Sequence, residues 1–157
     1  MENNLRTQKM LDNVATACTC DEKIYRAYRH TFQTIYSQMQ GHAKTILKFQ
    51  EECAVNMLHA MVWGQDAVVS QCKLEIYAGM YANLENAILH GENPCFALSK
   101  FKQSKIEQLP QHNSTSTSVF SNAVDHCHRV AIQDMFIGFH SDFDQLSEIV
   151  QRESQQA

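Results

Sequence analysis

The stretch "IYRAYRHTFQTIYSQMQGHAKTILKFQEECAVNMLHAM", residues 24–61, decides the fold. Ile24, Tyr28, Phe32, Ile35, Met39, His42, Ile46, Phe49, Cys53, Met57 and Met61 recur every three or four positions along it. That spacing places them on one face of an α-helix of about 3.6 residues per turn. Gly41 lies inside the run, but a glycine costs a helix interior only about 1 kcal/mol relative to alanine. The stripe therefore predicts one helix from about Asp21 to Trp63, with Asp21 as N-cap. A shorter amphipathic segment carrying Leu5, Met10, Leu11, Val14 and Cys18 precedes it.

Working toward the C-terminus, the stripe falters at Gly64-Gln65. It resumes with Val68 or Val69, Cys72, Ile76, Met80, Leu84 and Ile88. Two arrangements fit: a turn at "WGQD" (63–66), with Asp66 capping a second helix that folds back on the first, or one nearly straight rod. The hairpin is the expectation. "ILHGENPCFALSKFKQ" (88–103) then carries dense punctuation. Gly91 suits the left-handed residue that closes a helix, Asn93 an N-cap, and Pro94 the first helical position, where a missing N–H is harmless. The helix that follows presents Phe96, Ala97, Phe101, Ile106 and Leu109 and stops at Pro110. "HNSTSTS" (112–118) is a polar link. A last helix from about Ser118 carries Phe120, Val124, Cys127, Ala131, Met135, Phe139, Leu146 and Val150, and decays into "QRESQQA".

No segment alternates with the period of two that a half-buried strand requires. The expected fold is all-α: a single domain over 1–157, built as a bundle of three or four long amphipathic helices. Breaks are expected near 19–21, 64–66, 91–94 and 110–118, with a frayed tail from about 152. Apolar stripes this long suit coiled-coil-like packing and self-association.

Composition excludes several functions. Charged residues are 19% and the net charge is −4, so no basic field for nucleic acid is present. No run of 18 apolar residues occurs, so no membrane-spanning segment is expected, and "MENNLRTQKMLDN" is too polar for a secretory leader. A cytoplasmic location follows. The six cysteines, Cys18, Cys20, Cys53, Cys72, Cys95 and Cys127, are scattered along apolar faces, which reads as reduced, packed thiols rather than disulfides.

No reaction centre emerges. His126-Cys127-His128 fails as a metal site, because helix neighbours at i and i+2 point about 200° apart. No Glu-x-x-His, HExxH, phosphate loop or G-x-S-x-G elbow occurs. The expectation is no enzyme, no metal and no cofactor; a metal- or cofactor-binding enzyme on a helical bundle is the third-ranked alternative. The remaining signal is apolar. Seven methionines and eight phenylalanines, several on amphipathic helices, read either as ordinary core or as faces that adsorb to an apolar surface or partner helices, and the polar faces hold Gln, Asn and Ser more than Lys. Such faces suit an uncharged partner better than an anionic membrane.

The segment "QEECAVNMLHAMVWGQDAVVSQCKLEIYAGMYANLENAIL" (50–89), followed by "HGENPCFALSKFKQSKIEQ" (90–108), resembles the phasins, small helical proteins that coat polyhydroxyalkanoate granules. The resemblance covers about residues 30–108. It is carried by repeated apolar positions, a central aromatic-glycine region, many glutamines, and a break followed by Asn93, Pro94, Leu98, Phe101 and Gln103. The cysteine content, the "NSTSTS" link and the aromatic C-terminal helix depart from that pattern. The resemblance implies a non-enzymatic, granule-associated coat protein. Gly91, Asn93 and Pro94 would then be a hinge between a self-associated form and a form spread on the granule. The candidate docking residues are Phe96, Leu98, Phe101, Ile106, Phe136 and Phe139, on an apolar polymer granule or, as the alternative, on a protein partner of a helical adaptor or effector-like module.

Overall fold

The computed structural model describes residues 22–109, 119–137 and 141–155. Among them the chain is helical, with no strand. The helices are α1 (Glu22–Val55), α2 (Met57–Leu89), α3 (Pro94–Gln108), α4 (Val119–Phe136) and α5 (Asp142–Gln155). The expected break near 19–21 lies outside the described residues, and α5 continues to Gln155, past the point where fraying was expected.

The first long helix ends at Val55, not near Trp63, and α2 runs without interruption through Gly64, Gln65 and Asp66. The expected turn at 64–66 is thus displaced to Asn56. Its extended backbone (φ −145°, ψ 113°) breaks the helix, and its Oδ1 accepts the Leu58 N–H at 2.9 Å. The Asn56 N–H still donates to the Glu52 carbonyl at 3.2 Å, so the old helix runs directly into the new cap. The physical reason is local. An asparagine side chain satisfies an amide that every helix start leaves unpaired, whereas a glycine merely tolerates being helical.

Two substitutions separate these roles. Asn56→Ala should cost about 1 kcal/mol. Gly64→Ala should add up to about 1 kcal/mol, because a Cβ there meets nothing within 4 Å. In thermal melts the two shifts should have opposite signs and be a few degrees each.

α1 and α2 form an antiparallel hairpin about Asn56. Three ring pairs straddle that residue: Phe49 and Trp63 at 6.0 Å, His42 and Tyr77 at 5.8 Å, Phe32 and Tyr81 at 4.8 Å between centroids. α3 and α4 pack on α2, and α5 packs on α1, α3 and α4. The core sits at the open end of the hairpin. Tyr28, Phe32 and Ile35 of α1 meet Ile76, Met80 and Leu84 of α2, Leu98 of α3, Ile132 and Met135 of α4, and Phe143 and Leu146 of α5.

The corner between α2 and α3 is closed by local hydrogen bonds. Gly91 takes φ +66°, and the Glu92 N–H reaches the Ala87 carbonyl at 2.9 Å while Gly91 N–H reaches Ile88 at 3.0 Å, the paired bonds of a Schellman motif. Asn93 Oδ1 then accepts the Cys95 N–H at 2.8 Å, and Pro94, buried, opens α3. The Tyr28 hydroxyl donates to the Glu92 carbonyl at 2.6 Å, tying the corner to α1. At the start of α5, Ser141 Oγ accepts the Asp144 N–H at 3.2 Å, a further N-cap interaction.

Candidate functional site

The residues expected to dock a surface do not share one. Leu98 and Phe136 are each 2% exposed and belong to the core. Phe101 is half-buried, its ring 6.3 Å from Phe136 and lying over Gly79, where an added Cβ would meet it at an ordinary van der Waals distance of 3.5 Å. Ile106 is half-buried against the same core. Phe96 alone is well exposed, and Phe139 lies outside the described residues. The correction has a simple cause: α3 spends its apolar face on α2, α4 and α5, so that face is consumed inside the protein.

Gly91, Asn93 and Pro94 form a fastened corner in this conformation. Opening it as a hinge would break the Tyr28–Glu92 bond and uncover Pro94, Ala97 and Leu98.

An apolar surface lies instead at the closed end of the α1–α2 hairpin. From Tyr36 to Gln71, no described side chain is buried. The stripe continues there through Ile46, Phe49 and Cys53, but it is only half-covered. α1 and α2, 34 and 33 residues long, each span about 50 Å. α3, α4 and α5, with 15, 18 and 14 residues, span about 21–27 Å and cannot cover both ends. The closed end of the hairpin therefore projects beyond the core. Its apolar side chains Leu47, Val55, Leu58, Trp63 and Val68 are exposed, Val55 most at 88%. From Cys53 to Gln65, "CAVNMLHAMVWGQ", not one Asp, Glu, Lys or Arg occurs. That charge-free run is the signal that could have located the surface.

Beside this projection an apolar cleft of about 320 Å³ opens between α2 and α4, lined by Ala60, Gly64 and Val68 on one wall and Ala123, Val124 and Cys127 on the other.

Polar contacts pin the helices around the core. Lys73 Nζ lies 3.1 Å from Asp134, joining α2 to α4. Lys102 Nζ lies 3.6 Å from Asp144 and 4.9 Å from the Phe143 ring centroid, joining α3 to α5. Among the described residues, no group of three or more His, Cys, Asp or Glu is placed to hold a metal ion.

Burial raises the Cys72 thiol above its ordinary 9.0, helped by the Glu75 carboxylate and by Cys127, and burial likewise raises Cys127. Neither is a thiolate at neutral pH, so neither is an activated nucleophile. The folded state holds these two protons more tightly than the unfolded chain does. Their contribution to stability is complete below the ordinary thiol value and is lost as pH rises through the raised folded values. Urea melts from pH 8 to about 10.5 should show stability falling. A Cys72→Ala/Cys127→Ala variant should show a shallower fall.

Comparison with known proteins returns no match to any protein family, curated protein or solved structure. The resemblance to the phasins rests on the sequence features alone. None of the described helices is long and apolar enough to cross a membrane.

Proposed function

We propose that this chain is a non-enzymatic, self-associating helical-bundle protein that binds an uncharged apolar surface through the projecting end of the α1–α2 hairpin, acting as a phasin-like coat on a cytoplasmic polymer granule. One observation carries this reading: a hairpin end without a buried described side chain, presenting Val55, Leu58 and Trp63 in a run free of charge. Adsorption strength grows with apolar area removed from water, at about 25 cal/mol per Å². A surface without fixed charge asks for no lysine excess, and this end has none.

The test is cosedimentation of the full chain with uncharged polyester particles. Binding should fall at least tenfold in a Val55→Asp/Leu58→Asp variant and stay within about twofold in Phe96→Asp. Equal binding by all three proteins would remove the hairpin end as the docking element. A second reading, a helical adaptor that seats a protein segment, is favoured by the apolar cleft between α2 and α4. Under that reading a single stoichiometric partner competes with the particles, and bulky substitution of Ala123 blocks it.

A further inference from the structure

Lys44, Leu47, Lys48, Glu51 and Val55 recur at spacings of three and four residues, all exposed, on the side of α1 turned away from the stripe that meets α2. Charge along this strip is ordered. Lys44 and Lys48 come first and Glu51 and Glu52 follow, with Leu47 between the lysines, and no other charged residue lies between Tyr36 and Val55. A strip that is basic in one half and acidic in the other is complementary to itself when reversed. Laid antiparallel about a two-fold axis between Leu47 and Lys48, two such strips place Lys44 of each copy level with Glu51 of the other, while the two Leu47 and the two Lys48 meet beside the axis. Laid parallel, they oppose lysine to lysine.

The same reversal sets each Val55 against the uncharged run Ser37–Gly41 of the other copy. There Gln38 and Gln40 are exposed and Gly41 has open space beside its Cα. The Lys48–Glu52 contact within one helix, 3.8 Å between a largely solvated lysine and a half-buried glutamate, is too weak to hold these charges out of such an interface.

We infer that the outer face of α1, centred on Leu47 and bracketed by Lys44, Lys48, Glu51 and Glu52, is an antiparallel two-fold interface between two copies of this chain. A two-fold contact must use the same patch on both partners, and this strip meets that demand. An overlap of residues 40–55 is about 24 Å long. That places the interface at the small end of specific contacts, below about 1,200 Å² in total, the size class of weak, reversible association. The inference rests on the self-association in the proposed function and gives it a surface; its failure is distinguishable from failure of particle binding, because Leu47 and the charged strip report on the dimer and Leu58, which lies on α2, reports on particle binding alone.

Sedimentation velocity of the full chain from about 5 to 300 µM should show a monomer–dimer equilibrium. Leu47→Glu, which removes the apolar contact at the axis, should weaken it at least tenfold, with the circular dichroism spectrum unchanged because Leu47 is exposed. Leu89→Glu, exposed at the other end of α2, should leave it unchanged. Lys44→Glu/Lys48→Glu and Glu51→Lys/Glu52→Lys should each be monomeric alone and associate when mixed, since only the mixture pairs opposite charges throughout. A wild-type chain that stays monomeric over the range, a dimer indifferent to Leu47→Glu, or a mixture that stays monomeric would overturn the interface.

Discussion

Leu98→Asp is expected to abolish the cooperative thermal transition, while Phe96→Asp, two residues earlier on the same helix, leaves it within about 2 °C of wild type. The chemistry of the two changes is alike and the environments are opposite. Leu98 is 2% exposed, inside the core that joins α3 to α1, α2, α4 and α5. An aspartate there loses the leucine's burial, worth about 1.5–3 kcal/mol, and adds several more for a charge without a partner. Together these approach the 5–15 kcal/mol that holds a typical domain together. Phe96 is 62% exposed and loses little. Circular dichroism melts decide the matter. A folded Leu98→Asp would mean that α3 does not dock as described, and would return Leu98 to the candidate docking residues.

Phe32→Ala should cost about 3–5 kcal/mol in urea unfolding, and Phe49→Ala about 1 kcal/mol or less, although both belong to one stripe of one helix. Phe32 is fully buried, its ring 6.2 Å from Tyr28 and 4.8 Å from Tyr81. Removing it leaves a cavity inside the core that α1 shares with the other helices, where the site cannot readily collapse to fill it. Phe49 stacks on Trp63 at 6.0 Å, half-buried, where solvent and neighbouring side chains fill the space. The ratio of the two costs measures the division between core and projection. Equal losses would mean that the hairpin end is packed as tightly as its base.

Much of the local architecture is legible in residue spacing because helix formation depends on neighbours a few positions away. The stripe from Ile24 onward, the left-handed Gly91, the Asn93 cap and Pro94 at the first helical position all act within one or two turns. The turn at Asn56 is local too, and the sequence held its signal. Gly64 weakens a helix by only about 1 kcal/mol, whereas a capping asparagine at position 56 satisfies an amide that a helix start leaves unpaired.

The docking surface was less legible. Leu98, Phe101 and Phe136 look like spare apolar residues in a periodic pattern, and nothing in the pattern says that α3 and α4 spend them on α2 and α5. Conversely, Ile46, Phe49 and Cys53 continue the three- and four-residue steps of Tyr28, Phe32 and Ile35 along the same helix. Coverage depends on how far the shorter helices reach along the longer ones, a distance set by several helix lengths at once.

The chain's own spacing of apolar side chains determined that it is helical and where its helices are capped, since those choices are settled by hydrogen bonds and packing within a turn or two. Tertiary structure alone decided which parts of the long apolar stripes are sealed in the core and which project uncovered. Burial is a property of what lies alongside a residue, and here the neighbours are helices half as long as the hairpin they support.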